Sequence, residues 1–446
     1  MSHRLAAMLP AILLLAAACA FAQLDGSYIL PLEDRSIEYS TRPLADPVTL
    51  LQERLTRGES KLEYHPDYGY LPSVLGNLQV LPASQVLVFS KTSFQAVRIS
   101  PHMPRALYFN DRVSVGWVRG GDVVEIASVD PRQGVVFFTL DQGESPSPRI
   151  QRRDDCLQCH ASGTTLGVPG LMVRSVYPDV SGMPLSHGGT FITDHRSPLN
   201  KRWGGWYVTG THGSQTHMGN MRYLDSNTPR PGAPNSSNVT DLARLFDAGA
   251  YLTPHSDIVA LMVLEHQTRM QNLITRVGFE TRMALASQIA VHEALKRPAS
   301  EVSDSSIGRI YNPADVLVSY MLFADEAPLQ AHVAGTSTFA AEFANQGPRD
   351  RRGRSLRQFD LTRRLFRYPC SYLIYSEAFD NLPEPARQRV YRRLWEVLSG
   401  LDTSPTFKSL SASDRQSILE ILRETKPDLP EYWHSGATIT PSAINR

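Results

Sequence analysis

Cys156, Cys159 and His160 stand together in the run Cys156-Leu157-Gln158-Cys159-His160. Two thiols three positions apart can reach the two vinyl groups on one edge of a porphyrin and become thioethers. The adjacent imidazole then lies under the ring and donates a nitrogen to iron. The same residues could instead form a redox disulfide, or join His160 and a remote histidine around zinc. No thioredoxin-like alternation of strands and helices surrounds the pair. With 4 Cys and 13 His in 446 residues, random placement produces this pattern about once in a thousand such chains.

The remaining cysteines are Cys19 and Cys370. A short basic start at His3 and Arg4, an apolar run from Leu5 to Ala18, and Ala20-Phe21-Ala22 read as a signal peptide over 1–22. Gln23 is then the mature N-terminus, and the location periplasmic or secreted. A lipoprotein acylated at Cys19 is the rival reading, although Ala16-Ala17-Ala18 lacks the usual large aliphatic residue. Removal of Cys19 leaves three cysteines, too few for a disulfide framework. Export favours covalent haem, which cannot be lost outside the cytoplasm.

On these residues the chain resembles a c-type cytochrome with a single haem. More loosely it is similar to large exported bacterial monohaem proteins. The resemblance implies one haem c held by Cys156 and Cys159, with His160 as the fifth iron ligand. It also implies a sixth ligand at about the spacing of Met218, which lies 58 residues after His160.

His187, His195, His212 and His217 crowd the stretch after the motif. His217 and Met218 are the leading pair for the far side of the iron, with Gly213 and Gly219 allowing close backbone approach. His266 is a further candidate, on the stripe Ile258, Met262, His266, Met270, Ile274 of a long helix. The plain alternatives are polar loop residues for His212 and His217, turn residues for His187 and His195, and a hydrogen-bonded core histidine for His266. The two propionates of a haem need cationic or indole N–H donors. Arg202 and Trp203 lead, with Arg174, Arg196 and Trp206 as further sources, or the tryptophans are simply core. Cys370 reads as buried and inert. Asn235 and Asn238 match a glycosylation pattern but sit in a Ser/Asn-rich loop.

Stepwise hydropathy suggests how these residues are held. A helix over 47–56 precedes strands at 86–89, 105–109, 113–118, 123–129 and 135–140, separated by turn residues such as Asn110-Asp111 and Gly120-Gly121. That pattern is an antiparallel meander. Short strands follow at 171–176 and 205–209. Helices are expected from Ser256 to Pro298 with a break at Gly278, and at 313–323, 384–398 and 417–425, the last with a capping box from Ser413 and Gln416. The expected class is α+β: an antiparallel β-meander leading into a Gly/His-rich haem-binding segment, then a mostly α-helical C-terminal half. The regions are 1–22 signal peptide, 23–150 meander, 151–240 haem-binding segment and 241–446 helical region. The classical haem motif lies on a helix of a small all-helical module, and this layout departs from that.

Lys plus Arg total 45 against 44 Asp plus Glu, which excludes a chain built for blanket binding to nucleic acid or anionic lipid. Arg349, Arg351, Arg352 and Arg354 form a local basic loop that reads as solvated surface. No later run approaches the length of a membrane span. The expected function is an exported monohaem cytochrome passing electrons between donor and acceptor proteins or small molecules. The alternative is a haem-dependent oxidoreductase, peroxidase-like or oxidising a small molecule at an open distal site. A sensory module signalling through the helical half is a third class, which no residue selects.

Overall fold

Within the strands apolar residues recur at alternate positions, as at Ala106 and Tyr108, Val113, Val115 and Trp117, and Val124 and Ile126, so each strand presents two different faces. In the computed structural model, which describes residues 28–223, 237–296, 298 and 303–434, both faces are covered. Helices α1 (Pro47–Thr56) and α2 (Leu71–Asn77) precede β1 (Val86–Val88), β2 (Arg105–Phe109), β3 (Val113–Trp117), β4 (Val123–Asp130), β5 (Gly134–Asp141) and β6 (Ile150–Arg152). A short helix α3 (Leu157–His160) follows, then the hairpin β7 (Val173–Val176) and β8 (Thr190–Thr193), and β9 (Trp206–Tyr207). The remainder is helical: α4 (Ile258–Leu295), α5 (Asp304–Met321), α6 (Phe339–Ala344), α7 (Glu377–Asp380), α8 (Glu384–Leu398) and α9 (Ala412–Thr425). The class is α+β.

The main sheet is antiparallel throughout, in the order β6-β5-β4-β3-β2-β1-β9. One face carries Leu87, Ala106, Tyr108, Val115, Trp117, Ile126 and Phe138, which pack on Val48 and Leu51 of α1 and Leu71 and Val74 of α2. The other face is divided. At one end Val86, Val88, Phe109 and Trp206 join the core of the helical half. At the other, Ala127, Val135 and Phe137 form a small separate cluster. That second cluster is where the cysteine motif rests.

Helix α4 ties the halves together. Its 38 residues rise about 57 Å at 1.5 Å each. It crosses the strand turns, with Gln267 donating to Asn110 O and Gln271 to Asp111 O, both at 2.7 Å. The expected break at Gly278 is absent, because a glycine costs a helix only about 1 kcal/mol and both flanks here are buried. Asp257, not Ser256, caps this helix by accepting from Val259 N and Ala260 N. Ser256 accepts from Leu87 N and donates to Tyr207 O, so it joins the sheet to the helix.

Other bounds moved too. Helix α5 starts at Asp304 behind the Ser303 cap and runs through Pro313. Helix α9 starts at Ala412, with its capping box made by Ser411 and Asp414. Gln416 donates to Glu420 instead. The basic loop is a salt-bridged surface: Arg352 and Arg354 pair with Glu420 at 3.0 and 2.8 Å. No described helix is long and apolar enough to cross a membrane. The signal peptide 1–22, Cys19 and Asn235 lie outside the described residues.

Candidate cofactor site

Strand β6 delivers the chain to a single 3₁₀ turn, Asp154–Cys156, which runs directly into α3. Asp154 and Asp155 are held by Arg152 and Arg153 at 2.8 and 2.7 Å. On this turn and helix the motif residues have unequal surroundings. Cys159 is exposed and Cys156 half-buried, both as free thiols. Cys156, Leu157, Val129 and Leu171 pack on Ala127, Val135 and Phe137. That burial pushes the Cys156 thiol up to about 11, unlike the activated thiolate of a redox pair.

His160 is oriented by the chain it precedes. Residues 161–169 loop round so that Gly170 N donates to His160 O at 2.9 Å. His160 Nδ1 lies 2.9 Å from Gly170 O. A carbonyl can only accept, so Nδ1 carries the proton and Nε2 carries the lone pair. The ring rests on Phe137, with centroids 4.8 Å apart. Burial lowers the imidazole pKa, which keeps the ring neutral. A neutral, tautomer-locked histidine beside two thiols is the donor set that a covalent haem needs. The residues present fit the group.

Gly170 is itself pinned. Leu171 N donates to Asn272 Oδ1 at 3.1 Å, and Asn272 Nδ2 donates to Leu171 O at 2.7 Å. A Cβ on Gly170 would stand 2.7 Å from Asn272 Cγ. Gly170→Ala should therefore cost about 1–3 kcal/mol by overpacking and tilt His160, read as a lowered urea midpoint. An unchanged midpoint would show that the clamp is loose. Neither Gly170 nor Asn272 stood out in the sequence. Gly170 follows Val168-Pro169, an ordinary turn signal, and Asn272 arrives from a helix about a hundred residues away.

The other expected site residues gather elsewhere. Arg202 is buried, donating to Glu265 Oε2 at 3.1 Å, to Ser197 O and to His195 O, so its guanidinium is already engaged. Trp203 is fully buried and meets His217 edge-on at 5.4 Å. His217 accepts from Gly219 N and packs on His212 at 4.7 Å. Met218 Sδ lies 3.6 Å from Ser175 Oγ, with its methyl against Gly204. Ser175 follows Arg174 on β7, and successive side chains point to opposite faces. His217, Met218, Arg202 and Trp203 thus gather in one buried cluster on the side of β7 that Ser175 faces.

His195 and His266 form a buried pair, Nδ1 to Nδ1 at 2.9 Å, with His266 Nε2 on Ser371 Oγ at 2.8 Å. The stripe through His266 is core. Trp206 donates to Arg174 O at 2.8 Å. Arg196 pairs with Asp194 at 2.7 Å. Cys370 is fully buried, and desolvation raises its thiol far above the usual range. Comparison with protein-family models, curated proteins and solved structures found no match.

Proposed function

We propose that this chain is an exported c-type cytochrome that carries single electrons through one haem, attached at Cys156 and Cys159 with His160 on the iron. The observation that carries the reading is the His160–Gly170 hydrogen bond, which leaves Nε2 as the free donor nitrogen. Zinc held by protein alone needs three or four side chains. Among the described residues no three His, Cys, Asp or Glu are grouped to hold an ion. A haem asks the protein for one nitrogen.

Electron transfer, rather than oxidation of a substrate, is favoured by where the motif lies. Cys159 is exposed and Cys156 half-buried, so the thioether edge of the ring would meet the surface where donor and acceptor dock. The haem, when bound, supplies the Fe(III)/Fe(II) couple. His160 would supply its Nε2 to the iron, and Phe137 limits rotation of the imidazole.

The test is mass and spectrum of the chain matured in a host that attaches haem outside the cytoplasm. A gain of about 616 Da with a low-spin spectrum that resists carbon monoxide is expected. A bare polypeptide would end the proposal. A high-spin iron that binds carbon monoxide would move the reading to the oxidoreductase.

A further inference from the structure

Beside His160 the sheet carries charges that protein partners do not balance. Arg105 on β2 lies flat across Gly116 of β3, where a Cβ would come within 2.7 Å of its Nε and 2.8 Å of its Cζ. Its Nη2 pairs with Glu125 of β4, and its buried Nε has no acceptor. Glu125 also accepts from Gln95 Nε2 at 3.1 Å, so that carboxylate is served by two donors. Glu125 sits two residues before Ala127, on the same face of β4. Ala127 pairs with Phe137, on which His160 rests.

Arg174 approaches from β7, four residues beyond the Gly170 that holds His160. Its partner is the Met172 sulfur at 3.9 Å, a weak acceptor. Among the described residues no carboxylate pairs with it. Arg152 and Arg153 are matched by Asp154 and Asp155. The half-buried ground next to His160 therefore holds two guanidinium groups and one carboxylate. A partly desolvated cation without a counter-charge is costly.

We infer that Arg174 and Arg105 bind the two haem propionates and so act as positioning residues that raise the reduction potential. The inference rests on the proposed haem attachment. One carboxylate would supply the counter-charge that Arg174 lacks, the second would accept from the unpartnered Nε of Arg105, and guanidinium forks match carboxylate geometry. A fixed positive charge near iron favours the state with one more electron. Sequence order hid Arg105, because it lies 55 positions before His160 and reaches it only through strand pairing.

The experiment compares midpoint potentials at pH 7 of the haem-loaded full chain and of Arg174→Gln, Arg105→Gln, Arg174→Lys and the surface control Arg351→Gln. Arg351 is 93% exposed. Each glutamine variant at 105 or 174 should shift the ferric-to-ferrous equilibrium about tenfold toward ferric, a fall of about 59 mV. Arg174→Lys should recover most of it, and the control should not move. Potentials unchanged in both glutamine variants, with the 616 Da gain present, would overturn the propionate assignment alone. A wild-type chain without that gain would overturn the haem reading itself. If Arg174→Gln does not fold, Arg105→Gln and Arg174→Lys decide. Arg105→Gln must fall about tenfold and Arg174→Lys less than threefold, and equal potentials in all chains sink the assignment.

Discussion

A chain with serine at both Cys156 and Cys159 is expected to mature as a folded protein with no covalent haem. The wild-type gain of about 616 Da should vanish, and any pigment should extract into acidified solvent. Each thioether needs a sulfur, and oxygen does not add to the vinyl groups under the same conditions. Loss of fold is a poor competitor as explanation. Cys159 is exposed and Cys156 only half-buried, so serine there should cost at most about 1 kcal/mol. Circular dichroism should match wild type. Single substitutions separate the two bonds: Cys159→Ser and Cys156→Ser should each keep one thioether, and each ferrous spectrum should shift to the red as a vinyl group returns to the ring. Retention of the full mass gain by the double variant would show that attachment lies elsewhere.

How much of this was legible depended on the range of each interaction. Helix α8 (Glu384–Leu398) and strand β2 (Arg105–Phe109) have the bounds that periodicity alone indicates, because their faces repeat at 3.6 and 2 residues. Local capping was less secure. Ser256 was a plausible cap by type, yet the backbone of Leu87 and Tyr207 claims its hydroxyl. The motif Cys156–His160 was readable because all of its chemistry fits within five residues. What orients it was not. Gly170, Phe137, Asn272 and Arg105 reach the site by loop closure, strand pairing and helix packing, and none leaves a mark beside the motif. The same limit applies to the far ligand. Sequence nearness grouped His217, Met218, Arg202 and Trp203 with the haem motif, and they do form one cluster. The single step from Arg174 to Ser175 along β7 sets that cluster on the face opposite to Arg174.

The buried histidines make a second large prediction: the chain should unfold steeply in acid. His266 is fully buried and its pKa is depressed to about 3 by desolvation. His217 is depressed to about 3 for the same reason, with His212 beside it adding to the shift. His195 lies well below its ordinary value, through burial and the charges of His266, Arg196 and Arg202. A histidine with a depressed folded pKa takes up its proton first in the unfolded chain. Its contribution is therefore complete above pH 6.5 and is lost as pH falls toward the folded value, at about 1.4 kcal/mol per unit. Glu265 opposes this over part of the range. Burial outweighs Arg202 and pushes its carboxyl up to about 7, so between pH 7 and 4.5 it favours the folded state as pH falls. Glu326 is likewise pushed up to about 7 by burial, so three histidines against two glutamates leave a net loss of about 1.4 kcal/mol per unit between pH 6.5 and 4.5. Below 4.5 both glutamates are protonated in both states, and the loss steepens to about 4 kcal/mol per unit. Asp194, whose pKa is lowered by Arg196 despite its burial, adds to the fall there. A domain at the lower end of the usual range, about 5 kcal/mol, should then lose its fold near pH 4. Urea midpoints measured at pH 7, 5.5 and 4.5 check this, and His217→Gln should flatten the slope by about 1.4 kcal/mol per unit. A midpoint that stays level from pH 6.5 to 4.5 would mean that these imidazoles find their protons in the folded chain, and that the space behind β7 opens to water.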